Sequence, residues 1–187
     1  MSRWEPDARG RLQAAAMALY AEHGFEATTV ADIAERAGLT KRTFFRHFAD
    51  KREVLFDGSK DLEEHFVAAV LAAPEAAAPL DAVAAGLDAT AEWFTGRREY
   101  AARRQRIVAE TPELQERELI KMASLAGAVT GALRTRGVAD PAAGLAAEAG
   151  VAVFRIGFGR WVADGNTAPM DHVLRDALAE LRAVTAG

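Results

Sequence analysis

Apolar residues recur along most of this chain at intervals of three and four, the spacing that lines one face of an α-helix, while β-branched runs of period two are absent. The first stripe is Leu12, Ala15, Ala16, Leu19 and Tyr20, closed by Gly24. A shorter one follows Thr29. There Thr29 and Asp32 have the spacing of a capping box, Val30, Ile33, Ala34 and Ala37 form the stripe, and Gly38 offers a left-handed stop. Thr40 is then placed to cap a third helix from Lys41 to Phe48. At about 100° per residue, Phe44 and Phe48 share the inner face of that helix and leave Arg42, Thr43 and Arg46 on the opposite one.

Downstream the same period continues. Asp50 is placed to cap a long helix over 51–72, with Val54, Leu55, Leu62, Phe66 and Val70 inward, ended by Pro74 and Pro79. Proline, glycine and aspartate signals divide the remainder into helices near 80–95, 97–109, 112–136, 141–164 and 169–185, the third with a strong start at Thr111-Pro112-Glu113. The expected fold is all-α with about nine helices. It comprises a three-helix helix-turn-helix domain over 1–50 and a helical domain over 51–187, whose first helix, 51–72, serves as linker.

Composition narrows the function. Half of the 187 residues are apolar, enough for a sizeable core, and 43 are alanine, which raises helix propensity nearly everywhere. Absence of cysteine excludes a disulfide framework and thiolate metal sites, and no cofactor signature is present, so none is expected. Met1 to Arg11 lacks the order of a signal peptide, and no uncharged run approaches the ~18 residues of a membrane span, so a cytoplasmic protein without a membrane partner is expected. The net charge of −4 argues against a nucleic-acid partner until its distribution is considered. Residues 1–60 carry ten Lys and Arg against nine Asp and Glu, and 61–187 carry thirteen against eighteen. Within 41–52, five cations face one acid, Asp50.

A cationic second helix after a glycine turn has the layout of a recognition helix, whose N-terminal residues reach base edges in the major groove. Lys41 and Arg42 are the candidates for base contact, Arg42 suited to a guanine O6/N7 pair. Thr43, Arg46, His47 and Lys51 are the expected phosphate anchors. Arg3, Arg9 and Arg11 form a possible basic arm or, more commonly, a frayed terminus. A charged, solvated surface helix is the plainer alternative for 41–52, against which stand the caps, the spacing and the local charge.

These residues resemble the TetR family of bacterial transcriptional regulators. The resemblance runs over roughly residues 10 to 60, through HGFEATTV, IAERAGLTKRTFFRHF and ADKREVLF, about a quarter of the chain. It implies that Lys41, Arg42 and Phe45 face bases while Thr29, Thr43, His47 and Lys51 hold phosphates of a double-stranded operator. Phe45 stands where the family commonly has tyrosine, so that hydroxyl is missing and a thymine methyl is the expected contact.

The last two helices carry heavy apolar stripes, Val151, Phe158 and Trp161 on one and Met170, Leu174, Leu178 and Leu181 on the other. They are the expected interface of a homodimer, because two reading heads on half-sites about one duplex turn apart, or a multiple of it, bind far better than one. Ordinary core is the alternative for the same stripes.

The middle helices mix Phe66, Trp93, Phe94, Met122, Val129 and Phe154 with Arg103 and Arg106. Such a set is either core or the lining of an apolar cavity with basic groups at its mouth. The resemblance implies a small-molecule effector that releases DNA. RRQRIVAETPELQERELIKM further resembles relatives that bind acyl-CoA-like ligands, which would put arginines on phosphates. The expected function is thus a ligand-released homodimeric repressor of a palindromic operator. A helical protein-interaction module would explain the apolar stripes but not Lys41 to Lys51. An enzyme is disfavoured: the four histidines are scattered, and neither a nucleophile elbow, a P-loop nor a dinucleotide fingerprint is present.

Overall fold

The computed structural model describes residues 7–186. Among them are nine α-helices and no strand: α1 (Ala8–His23), α2 (Val30–Arg36), α3 (Lys41–His47), α4 (Ser59–Ala72), α5 (Pro79–Trp93), α6 (Arg98–Glu110), α7 (Pro112–Thr135), α8 (Ala142–Val162) and α9 (Met170–Ala186). The all-α expectation and most helix boundaries hold. Packing divides the chain into two units, residues 1–57 with 103–118, and 58–102 with 119–187.

The first unit is built on α1, whose predicted stripe from Leu12 to Tyr20 is buried, with Phe25 closing the corner against the Tyr20 ring at 5.2 Å. The Thr29–Asp32 capping box forms as the spacing predicts. Gly38, at φ 65°, turns the chain out of α2. Thr40 then accepts the Thr43 N–H at 3.1 Å to open α3. Bidentate pairing of Arg36 with Glu22 ties α2 to α1.

The helix expected over 51–72 starts eight residues late. Asp50 does act as a cap, accepting the N–H groups of Arg52 and Glu53 at 2.8 and 3.2 Å, but what it caps is a series of turns over 51–58. Gly58, at φ 81°, breaks that series and starts α4. Val54, Leu55 and Phe56 are buried from these turns without a helical period.

Residues 103–118, the end of α6 and the start of α7, complete this unit. Arg104 donates to the Leu55 carbonyl at 2.7 Å and to Glu118 at 2.9 Å while lying over the Phe56 ring. Arg117 meets Glu53 at 2.6 Å and Arg52 meets Glu113 at 3.1 Å. Opposite charges that are distant in sequence thus brace the turns on which α3 ends.

In the second unit α4 packs on α5, and α8 and α9 pack on each other and on α5. Three glycines set how closely these elements lie: a Cβ would overlap the Phe66 ring at Gly86, Val83 at Gly150 and Leu174 at Gly157. Helix α8 is long and apolar enough to cross a membrane by length and composition. Ten of its residues are nevertheless buried against this unit's own core.

That burial overturns the expected dimer surface. Val151, Phe158, Trp161, Met170, Leu174 and Leu178 belong to the core of a single chain, and Leu181 packs against its edge. The stripes are spent on α5 and on each other, and ion pairs from Arg182 to Asp81 and from Arg175 to Asp88 hold α9 to α5.

Candidate nucleic-acid interface

Helix α3 has seven residues and buries one of them completely, Phe44. Its ring lies 5.6 Å from Phe48 and edge-on to Phe45 at 5.5 Å, so two phenylalanines anchor the back of the helix while Phe45 stays 56% exposed. Lys41, Arg42 and Arg46 are exposed and make no hydrogen bond or ion pair among the described residues. Three cations and an aromatic ring thus lie on one open helical face, Lys41 within electrostatic reach of Asp32 and the two arginines without an acidic partner among the described residues. Cations available at a helix surface are what phosphate and base-edge contact require.

The expected phosphate anchors divide. Arg46 is available. Thr43 is half-buried, its hydroxyl 3.0 Å from that of Thr40. His47 is half-buried beside Phe48, and its Nε2 has no partner within the structure. Thr29 turns both its donors on Asp32: its N–H at 2.8 Å and its hydroxyl at 2.7 Å. Those same hydrogen bonds, the hydroxyl's first, lower the Asp32 pKa below its ordinary value. A charged carboxylate beside Thr29 repels phosphate, so its evident role is the cap.

Lys51 departs furthest from expectation. Its ammonium donates to the carbonyls of Phe25 and Thr28 at 2.8 and 3.1 Å and stands 4.2 Å from the centre of the Phe25 ring. Its own carbonyl accepts the Tyr20 hydroxyl at 2.7 Å. With its donors spent on the α1–α2 loop, Lys51 is a clamp rather than a phosphate contact. Burial, with a smaller contribution from nearby Asp50, raises the Tyr20 pKa well above the ordinary phenol value and keeps that hydroxyl a donor. Arg9 pairs with Asp57 and lies over Phe48, and Arg11 donates to the Ala37 carbonyl. Both are internal ties of the unit rather than parts of a basic arm; Arg3 lies outside the described residues.

The segment that carries this geometry, residues 12–57, matches the family described as bacterial regulatory proteins, tetR family. The likeness to the TetR family is carried by those residues. Over 75 residues, the chain is 41% identical to the HTH-type transcriptional regulator TcmR of Streptomyces glaucescens, a stretch covering 40% of this chain and 33% of that one. The chain therefore matches only a third of that relative's length. Across the whole fold it is similar to a transcriptional regulator from Pseudomonas aeruginosa PAO1, with TM-score 0.69 and 19% identity over 100% of this chain and 94% of the other. It is also similar to Thermus thermophilus FadR, described as a TetR-family transcriptional repressor in complex with lauroyl-CoA, with TM-score 0.55 and 22% identity over 92% of each chain. The family and these relatives are named for regulation, none for an enzymatic reaction.

The residues expected to line a ligand cavity distribute over both units. Phe66, Val129 and Phe154 are buried in the core of the second, with Trp93, Phe94 and Met122 packed against it. Phe94 is the hub, its ring 4.7 Å from Trp93, 5.3 Å from Phe158 and 5.7 Å from Trp161. Arg97 stacks on Trp93 at 4.1 Å, and Arg98 donates to the carbonyls of Ala163 and Asn166 past the end of α8. Arg103 and Arg106 belong to the first unit. The basic run 97–106 thus serves several local ends instead of one mouth.

Outward on α8, and missed in the sequence, lie Leu145 and Ile156, 67% and 52% exposed. With the half-buried Ala149 and Ala152 and exposed Gly159 they follow helical spacing along one stripe. The signal was present as 145, 149, 152, 156, 159, but the bulkier aromatic stripe on the other side of α8 masked it.

Proposed function

We propose that this chain is a DNA-binding transcriptional repressor that acts as a homodimer on a palindromic operator and is released by a small-molecule effector. The observation that carries the reading is the open face of α3, where Lys41, Arg42, Phe45 and Arg46 are exposed and none of the three cations makes a hydrogen bond or ion pair among the described residues. Residues 1–50 hold the reading head and 51–187 the effector and dimer functions. Lys41, Arg42 and Phe45 meet base edges in the major groove, and Arg46, with Thr43 and His47, meets the flanking phosphates.

The dimer forms along the outward face of α8, through Leu145, Ala149, Ala152, Ile156 and Gly159. Small residues between two large ones suit close helix approach, and a Cβ at Gly159 would meet nothing within 4 Å in the single chain. A two-fold contact of this kind gives two heads the symmetry of an inverted repeat.

The effector is apolar, of acyl-CoA type. It would enter beside Phe94, the half-buried hub of the aromatic cluster, and favour a conformer with lower operator affinity; a difference of ~1 to 3 kcal/mol per site is enough for control. The lauroyl-CoA complex of the Thermus relative supports that class of ligand. A cytoplasmic location follows from a chromosomal operator.

Selection of duplexes from a random pool tests the reading. Enrichment of an inverted repeat with half-sites about one turn apart, or a multiple of it, is expected. Failure to enrich any sequence contradicts it and favours the protein-interaction module, which needs no cationic face.

A further inference from the structure

We propose that His47 serves the α3 interface as a neutral hydrogen-bond donor: its imidazole is the Nδ1–H tautomer, Nε2 keeps its lone pair inward, and Nδ1–H bonds a backbone phosphate oxygen. The phosphate contact rests on the reading of α3 given above; the tautomer does not.

Histidine occurs four times in the chain, at 23, 47, 65 and 172. His23, His65 and His172 are exposed, and each ring has a polar neighbour. His65 Nδ1 lies 2.6 Å from the Asp61 carbonyl, His23 Nε2 3.7 Å from Glu22 and His172 Nε2 3.8 Å from Asp171. His47 is the exception. It is half-buried, and its Nε2 is the only fully buried side-chain nitrogen or oxygen among the described residues without a hydrogen-bond partner. Its Nδ1 is neither buried nor bonded. One nitrogen is thus sealed within the unit and the other is open to what lies outside.

Helix geometry accounts for the difference. At about 100° per residue, His47 falls on the flank of α3, between inward Phe44 and outward Arg46 and next to Thr43. Its ring is tilted against Phe48 at 6.4 Å, and Phe48 supplies no lone pair to an N–H. An N–H at Nε2 would be a buried donor without an acceptor, which native structures avoid more strictly than an idle acceptor. A ring protonated on both nitrogens would place such a donor on a cation, which is costlier still. A lone pair at Nε2 is what the site tolerates, and in the neutral ring it leaves the proton on Nδ1. Only that tautomer suits a phosphate, because a lone pair on the open nitrogen would face phosphate oxygen as acceptor to acceptor. His47 therefore differs in kind from Arg46 beside it: it bonds without bringing charge, and so adds affinity without releasing a counterion.

Long-range proton–nitrogen correlation spectra of the full chain without DNA, at about pH 8 where an ordinary imidazole is neutral, read the ring directly. His47→Asn identifies the signals by removing them. A pyrrole-type Nδ1 and a pyridine-type Nε2 are expected. Binding to a random-sequence duplex is then followed across a salt series for His47→Asn, His47→Gln and His47→Ala, each corrected for its folded fraction by denaturation. Asparagine presents an amide N–H near the place of Nδ1, and glutamine near that of Nε2. His47→Asn is therefore expected to bind within about threefold of the wild type, while His47→Gln and His47→Ala lose on the order of tenfold. All three are expected to keep the wild-type salt slope. A pyridine-type Nδ1 overturns the proposal whatever DNA does. Equal affinity of wild type and His47→Ala, rescue by glutamine instead of asparagine, or a slope lowered by about one in His47→Ala removes the neutral phosphate contact. A wild type that binds no duplex overturns the interface reading and the contact with it, and is told from the other outcomes because the unsubstituted chain itself fails.

Discussion

Helices α3 and α8 were both expected to present function outward, and the structure treats them differently. In α3 the inner face is a pair of phenylalanines and the outer face is cationic, so the period alone tells inside from outside. In α8 both faces are apolar. Its aromatic side, the richer one, turned out to be the core of the chain, and its sparser side of Leu145 and Ile156 is the one exposed. Charge pattern identifies a surface because burying unpaired charge is prohibitive. Apolar pattern does not, because a core and an interface draw on the same residues.

Substitution on the two faces of α8 gives the largest contrast. Phe158→Ala is expected to cost about 3–5 kcal/mol of stability in chemical denaturation, as a buried ring in a packed cluster does. Ile156→Glu, two residues away, is expected to leave the denaturation midpoint of the isolated chain within about 0.5 kcal/mol while reducing its sedimenting mass. Equal destabilisation by both would place the two residues in the same environment and dissolve the distinction.

Lys51 sharpens the comparison on the cationic side, because not every cation near α3 is available. Lys51→Ala is expected to cost roughly 1.5–3 kcal/mol of stability through loss of charge-assisted bonds to the α1–α2 loop, and to leave the salt dependence of DNA binding unchanged. A salt slope lowered by about one, without loss of stability, would return Lys51 to the phosphate contacts.

Thr29→Ala is expected to cost about 0.5–2 kcal/mol as the loss of an N-cap, with operator affinity falling only as far as folding does. Asp50 provides a readout in pH. Its side-chain bond with Arg52 is the leading cause that holds its carboxyl below the ordinary range, with the backbone N–H groups of Glu53 and Arg52 adding to it. A group with a lowered folded pKa contributes fully above the unfolded value and loses that contribution as pH falls through the folded one. Stability of the wild type is therefore expected to decline below about pH 4 more steeply than that of Asp50→Asn, as followed by acid titration of the helical circular dichroism. Parallel acid profiles would remove Asp50 from the turns it caps.

Most of the fold was legible because proline, glycine and capping residues mark helix ends locally: Thr29, Thr40 and Pro112 each stand at the start the sequence predicts. What was illegible depended on partners distant along the chain. The turns over 51–58 look helical by period, and only Gly58 at positive φ hints otherwise. Arg104, within RRQR, was grouped with ligand-binding arginines because its counter-charge, Glu118, lies 14 residues away. Lys51 looked like an anchor for the same reason: the three loop carbonyls around it carry no sequence signature. The exposure of Lys41, Arg42, Phe45 and Arg46 was legible from the period of α3, and the internal bonds of Lys51 and Thr29 were not.

The most direct measurement is the affinity of Arg42→Ala and Arg46→Ala for a selected operator and for a scrambled duplex across a salt series. Arg42→Ala is expected to lose about 1–3 kcal/mol of discrimination between the two duplexes, and Arg46→Ala to weaken both alike with a salt slope smaller by about one. Unchanged affinity, discrimination and slope in both variants would contradict the account, since the open face of α3 would then not be where this chain meets DNA.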